Sequence, residues 1–217
     1  MFSTYYQTSE QSYLLNYGNF INIETNKKVL SHFKFLQKKN YKFIKNIIPS
    51  FNKLIIQFDP YFKKETNKII NELKNNDHIV SFDNKIHKIE ICYDDEYALD
   101  KNIIEKILNI SFADFINLHL KIEFHVFMIG FMPGLPFLGV SNFKKNIPRL
   151  ISPRLKIPSG SVGVVNNLTV IYPNECPGGW NIIGKTKKNL FINLNTFFSP
   201  GDKVIFKKIS KKYFLKK

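Results

Sequence analysis

The sequence predicts an α+β chain in two parts, a small sheet-and-helix unit followed by a β-rich unit of barrel or sandwich type. Three observations lead there. Nine of the ten glycines and eight of the ten prolines lie at or beyond Gly130, so turn punctuation is confined to the C-terminal part. Before Gly130, apolar residues recur alternately at strand and helix periods. The 217 residues are 44% hydrophobic and 23% charged, values that exclude wholesale disorder and suffice for one large domain or two small ones.

Element by element, Ser12 to Tyr17 reads as a strand, and Glu24 to Lys39 as a helix carrying Val29, Leu30, Phe33 and Leu36 at helical spacing. Lys53 to Phe58 is a second strand. Lys64 to Lys74 is a second amphipathic helix with Ile69, Ile70 and Leu73 on one face. That order suggests a split βαβ arrangement. The polar stretch Asn75 to Lys85 reads as a linker, which divides the chain into domains 1–84 and 85–217. His87 to Tyr93 returns to strand, Leu99 to Leu108 to helix, and Ser111 with Asp114 predicts a capping box for a helix through Leu120. Glu123 to Ile129 alternates as a strand. From Pro148 onward, short apolar runs (162–165, 168–172, 181–183, 190–192 and 203–206) separated by Pro/Gly turns predict a barrel or sandwich without a long helix.

Net charge is +15, which raises nucleic-acid binding at once. Yet 30 of the 32 basic residues are lysine, beside abundant Asn, Ile and Phe, a bias of A/T-rich codons. Residues 130–217 hold 15 basic residues against Glu175 and Asp202 alone, an asymmetry that codon bias does not explain. The last six lysines, Lys207 to Lys217, read as a tail without interleaved arginine, so nucleic acid is not expected as a partner. The uncharged run Val126 to Phe143 is broken by Gly and Pro, and the N-terminus lacks a signal-peptide pattern. A soluble, cytoplasmic protein without a membrane partner is expected.

All five histidines precede residue 126, which excludes a self-contained Ser-His-Asp hydrolase in the Gly/Pro-rich part. His32 and His78 lie among polar residues and are expected to be solvated. His119, at the end of an apolar helix face, is either a core histidine or a functional one. Cys92 and Cys176 lack ligand-spaced neighbours, so no metal site is expected.

The segment Gly130 to Gly139, with Pro133 and Gly134, reads in two ways. It is a tight apolar corner, or the wall of a ligand cleft whose amides bind an anion. Arg149 and Arg154 are the only arginines in a lysine-rich chain, and they fall within one six-residue stretch. The planar guanidinium grips carboxylate or phosphate bidentately where lysine does not, so both are candidates for anion binding, with structural ion pairs as the alternative. Pro158, Gly160, Ser161, Thr169, Tyr172, Gly178, Gly179, Trp180 and Lys185 add hydroxyls, the only Trp and an ammonium on adjacent turns.

The runs GFMPGLPFLG, PRLISPRLKIPSGSV, TVIYPNECPGGWNIIGKT and PGDKVIF together resemble the family of 5-oxoprolinase B subunits. That family is also labelled allophanate hydrolase subunit 1, includes a sporulation-kinase inhibitor, and is related to half of the urea carboxylase carboxyltransferase domain. The match is close over residues 119–206 and holds in outline from Met1 to Tyr93. The resemblance implies a ferredoxin-like N-terminal domain and a cyclophilin-like β-barrel. It also implies a complex with a direct partner, the 5-oxoprolinase C subunit, and with the A subunit, using ATP with Mg to open 5-oxo-L-proline to L-glutamate. Phosphorylation of the lactam carbonyl oxygen would create a leaving group that water displaces. By position, the resemblance assigns catalytic roles to Arg154, Lys185, Tyr172 and His119. Ligand binding falls to Gly130, Pro133, Gly134, Arg149, Pro158, Gly160, Ser161, Thr169, Gly178, Gly179 and Trp180, around a small anionic substrate. The sequence departs from the family pattern at Asn166, Leu168 and Val170, where Gly, Gln and Gly are usual, and at Lys185, where Arg is usual. Alternative roles implied are a non-catalytic inhibitor of a sensor histidine kinase and one half of a urea-carboxylase-like carboxyltransferase.

Overall fold

The computed structural model describes residues 2–75, 84–141 and 143–216. The chain separates into two units, Met1–Asp83 and Asn84–Lys217. Most of the expected linker, and His78 with it, lies outside the described residues.

The N-terminal unit runs β1 (Thr4–Ser9), β2 (Ser12–Asn16), α1 (Ile23–Lys39), β3 (Ile44–Pro49), β4 (Lys53–Phe58) and α2 (Lys63–Asn75). Asn22 caps α1 by accepting from the Thr25 amide at 2.7 Å, and Asn40 ends it in the left-handed conformation. The antiparallel sheet has the order β1-β2-β4-β3, so β4 is inserted between β2 and β3, which makes β2-α1-β3 a split βαβ unit. The split βαβ unit agrees with the expected ferredoxin-like type, and the element order differs from it at one strand. A ferredoxin-like fold runs βαββαβ, whereas here the fourth strand is β1, which precedes the split unit and joins β2 as a hairpin. Leu15, Leu54, Ile56 and Phe58 of the sheet bury against Val29, Leu36, Ile70 and Leu73 of the helices. His32, expected in solvent, is buried within this core, 2.7 Å from the Tyr17 hydroxyl through Nδ1. His32 lies three and four residues from Val29 and Leu36 on the buried face of α1, and helical spacing, not the composition of its immediate neighbours, places it there.

The C-terminal unit continues with β5 (Ile86–Cys92), α3 (Lys101–Leu108), α4 (Phe112–Leu120), β6 (Glu123–Ile129), β7 (Pro136–Gly139), β8 (Arg154–Ile157), β9 (Ser161–Val165) and β10 (Leu168–Ile171). It ends with β11 (Cys176–Gly178), β12 (Asn181–Lys185), β13 (Phe191–Ile192), β14 (Asn195–Thr196), β15 (Lys203–Ile209) and α5 (Lys211–Leu215). Seven strands close a barrel in the order β10-β7-β6-β15-β5-β12-β9. The expected α+β chain with a β-barrel is therefore present. Within the barrel β15 and β5 run parallel, Lys203–Ile209 against Ile86–Cys92. A parallel pair needs a long crossover, and all the elements between them supply it. Alternation points Ile89, Ile91, Phe124, Val126, Val162, Val164 and Phe206 inward. The Ser111–Asp114 capping box forms as expected: the Asp114 amide donates to Ser111 Oγ at 3.1 Å, and Phe112, Phe115 and Ile116 of α4 join the barrel core.

The C-terminal lysines do not form a tail. Lys207 and Lys208 belong to β15, while Lys211 and Lys212 open α5, whose Phe214 is buried. Among the described residues, no helix is long and apolar enough to cross a membrane.

Candidate functional site

A cleft of about 320 Å³ opens beside β8, β11 and the loop before β7. Its walls are Phe131, Leu135 and Phe137 on one side and Tyr172, Gly178, Gly179 and Trp180 on the other, with Arg149 at the edge. The two-stranded ribbon β8–β11 carries Gly178, registered against Arg154. A side chain at Gly178 would press within 2.7 Å of the Tyr172 hydroxyl, so only hydrogen lets the ribbon lie this close.

Arg149 is placed by backbone contacts around it. Asn181 donates to the Pro148 carbonyl at 2.8 Å, and the Leu150 amide donates to the Gly179 carbonyl at 2.8 Å. The guanidinium then lies 6.0 Å from the Trp180 ring centroid, and Phe137 meets Trp180 edge-on at 5.9 Å. Arg149 is exposed and has no carboxylate partner among the described residues. Beneath it Tyr172 is buried. Burial pushes its hydroxyl up to about 12, against Arg149, the Trp180 backbone and Arg154, which pull it down. At neutral pH this group carries its proton and is able to donate a hydrogen bond; it is not a base. The cleft thus offers one unpaired guanidinium, one hydroxyl and aromatic faces.

Of the sequence-derived candidates, Arg149, Tyr172, Gly178, Gly179 and Trp180 come together here. The others do not. Arg154 forms a two-pronged ion pair with Asp100, Nη1 to Oδ2 at 3.0 Å and Nη2 to Oδ1 at 2.7 Å. The anion it grips is within the chain, so the structure favours the ion-pair reading for Arg154. Asp100 also accepts from the Ile182 amide at 2.7 Å, which ties the start of α3 to β12 and β8. Lys185 lies with its ammonium 5.9 Å from the Tyr97 ring, outside the cleft lining.

His119 is sealed in the barrel core, with Nδ1 2.8 Å from the Tyr93 hydroxyl and Nε2 3.4 Å from Thr169 Oγ1. Burial pulls its pKa down to about 3, so the ring is neutral. This is the environment of a core histidine, and Thr169 is equally buried. Ser161 is buried behind the Pro158–Gly160 turn, whose Gly160 adopts φ +80° against the Thr186 carbonyl. Gly134 backs onto Leu190 and Phe191, and Pro133 is exposed. Two amides of the 130–139 segment are used internally, Gly130 to the Leu135 carbonyl and Leu135 to the Met132 carbonyl. The segment contributes the side chains of Phe131, Leu135 and Phe137 to the cleft wall, and these two amides are closed to a ligand.

Sequence reasoning missed Phe131, Leu135, Phe137 and Asp100. The first three lie inside the singled-out glycine segment, and Phe131 is 73% exposed with φ +71°, a conformation that bulky residues rarely adopt. Among the described residues no group of three or more His, Cys, Asp or Glu is placed to hold a metal. The cleft lining also lacks a carboxylate, so the residues present do not make a magnesium–nucleotide site.

The chain thus carries a split βαβ unit and, after it, a closed barrel whose cleft gathers Arg149, Tyr172 and Trp180. Residues 3–197 match the family described as carboxyltransferase domain, subdomain C and D. The chain is 31% identical to the 5-oxoprolinase B subunit of Bacillus subtilis, over 95% of this chain and 92% of that protein. It is 32% identical to the corresponding B subunit of Haemophilus influenzae, over 74% and 75% of the two chains. The chain belongs to this carboxyltransferase-domain family, together with the 5-oxoprolinase B subunits. Among solved structures, TTHA0988 superposes with a TM-score of 0.82 at 25% identity, covering 92% of this chain and 40% of that one. The chain therefore spans well under half of TTHA0988. Kluyveromyces lactis urea carboxylase shares the fold at a TM-score of 0.78 and 18% identity, over 97% of this chain and 22% of that one.

Proposed function

We propose that this chain is the B subunit of an ATP-dependent 5-oxoprolinase complex that opens 5-oxo-L-proline to L-glutamate in the cytoplasm. The observation that carries the reading is the near full-length similarity to the 5-oxoprolinase B subunit of Bacillus subtilis. The chemistry of the cleft supports it. A small ring acid presents a carboxylate, a lactam carbonyl and an apolar ring edge. Arg149 supplies a guanidinium for the carboxylate, Tyr172 a protonated hydroxyl for the carbonyl, and Trp180, Phe137 and Phe131 the apolar walls. Opening the ring breaks the lactam C–N bond and adds water across it.

This chain's part is to bind and orient the substrate and to keep bulk water from its apolar face. ATP and Mg belong to the complex, in which the C subunit is the direct partner and the A subunit is the third component. No step here runs through the nucleotide. Trp180 is the only tryptophan, so its fluorescence reports on the cleft. Titrating the full chain with 5-oxo-L-proline should change that emission saturably, and Arg149→Ala should abolish the change. An emission indifferent to ligand, or a titration unaltered by Arg149→Ala, would contradict the assignment of this cleft.

A further inference from the structure

A second concavity, of about 700 Å³, shares no lining residue with the cleft. It lies among the outer face of β5 and β15, the loop after β12, and α5. Five lysines line it, Lys88, Lys187, Lys188, Lys207 and Lys216, against the single acid Glu90, which stands 3.8 Å from Lys207. The other four have no carboxylate partner among the described residues. Ile209, Tyr213 and Phe214 give the groove an apolar floor. Five ammonium groups converging from four elements repel one another, and the fold holds them together with little internal neutralisation.

We propose that this groove docks an acidic segment of a partner protein, one that seats a large apolar side chain between flanking carboxylates. Three features select that occupant. The volume exceeds what a single small anion fills. The cations are all lysines, which attract carboxylates as mobile point charges and impose no fork geometry, as suits an extended acidic chain. Few ring faces are open for nucleobases to stack on, since of the two rings that line the groove Phe214 is buried and Tyr213 alone is exposed. Lys188 lies 3.8 Å from the Phe197 centroid, and Lys187 lies 5.1 Å from that of Phe214. Lys187 also donates to the Lys216 carbonyl at 2.9 Å, which holds the loop after β12 against the end of α5. The charge asymmetry of the chain has a local purpose on this reading. It holds whether or not the cleft takes 5-oxoproline.

The test uses the full chain and a fluorescein-labelled short peptide of Glu and Asp with one central Trp, read by anisotropy. The peptide should bind, more weakly as salt rises. Lys88→Glu combined with Lys188→Glu and Lys216→Glu should weaken binding by about tenfold or more. Lys121→Glu combined with Lys144→Glu and Lys145→Glu changes net charge equally at positions outside the groove, and should weaken it by no more than about twofold. Replacing the central Trp by Ala should weaken the peptide about tenfold. Absence of binding, equal losses in the two triple variants, an unaffected Ala peptide, or tighter binding of an oligouridylate of equal charge would each overturn the proposal.

Discussion

Two buried histidines fix how single residues behave in this protein. His119 is held neutral, its pKa pulled from 6.5 to about 3 by burial. Between those values the unfolded chain binds a proton that the native chain does not, so stability rises with pH across that window and is lost on acidification. From pH 6.5 down to about pH 5 the histidine should cost roughly 2 kcal/mol of stability. Chemical denaturation of wild type and His119→Asn over that range checks it. The variant should have the shallower pH slope, whatever its absolute stability, and equal slopes would contradict the neutral-core assignment. His119 could be placed from the sequence on an apolar helix face, but its seal depends on Tyr93 and Thr169, far away in sequence. His32 was misleading for the same reason, since its Tyr17 partner lies outside the helix, 15 positions away. The same signal, an arginine in a lysine-rich chain, singled out Arg149, which lines the cleft, and Arg154, which pairs with Asp100.

At the scale of elements, the Asp100–Arg154 pair links the first turn of α3 to β8, and through the Ile182 amide to β12. Asp100 stands at the N-cap position of α3, yet makes no side-chain capping bond because both oxygens are committed to these partners. Its side chain is 1% exposed, so removing the guanidinium would strand a buried carboxylate. Arg154→Ala should destabilise the chain by about 3 kcal/mol, measured by urea unfolding, and Arg154→Ala with Asp100→Asn should recover part of it. A neutral single substitution would show that the pair does not hold the cleft ribbon in place. The pair was not legible, because its partners lie 54 positions apart and one acid among few carries no local pattern. Lys53–Phe58 was legible by the alternation of its buried residues, and Glu123–Ile129 by its apolar run. β1 was not, since all six of its residues are exposed and offer no apolar face to read. β7 lay hidden inside the Gly/Pro segment, where Pro136 takes the first position of the strand.

For the whole molecule, charge and architecture separate into two surfaces. The barrel presents an arginine-edged apolar cleft and a lysine-lined groove, with no residue in common. Such a division suits a protein that contacts a small acid at one place and a larger partner at another. The barrel, its approximate strands and the segments forming the cleft were legible, because turns and alternation are local. Closure of the barrel through parallel β5–β15 pairing was not, since it joins strands from opposite ends of the unit. The role proposed for the chain is that of a working 5-oxoprolinase subunit. Its most direct test co-expresses this chain with the A and C subunits of the complex and measures glutamate released from 5-oxo-L-proline, with and without ATP. ATP-dependent release is expected, lost when this chain is omitted and strongly reduced by Arg149→Ala. An assembled complex that releases no glutamate, or releases it equally without this chain, would contradict it.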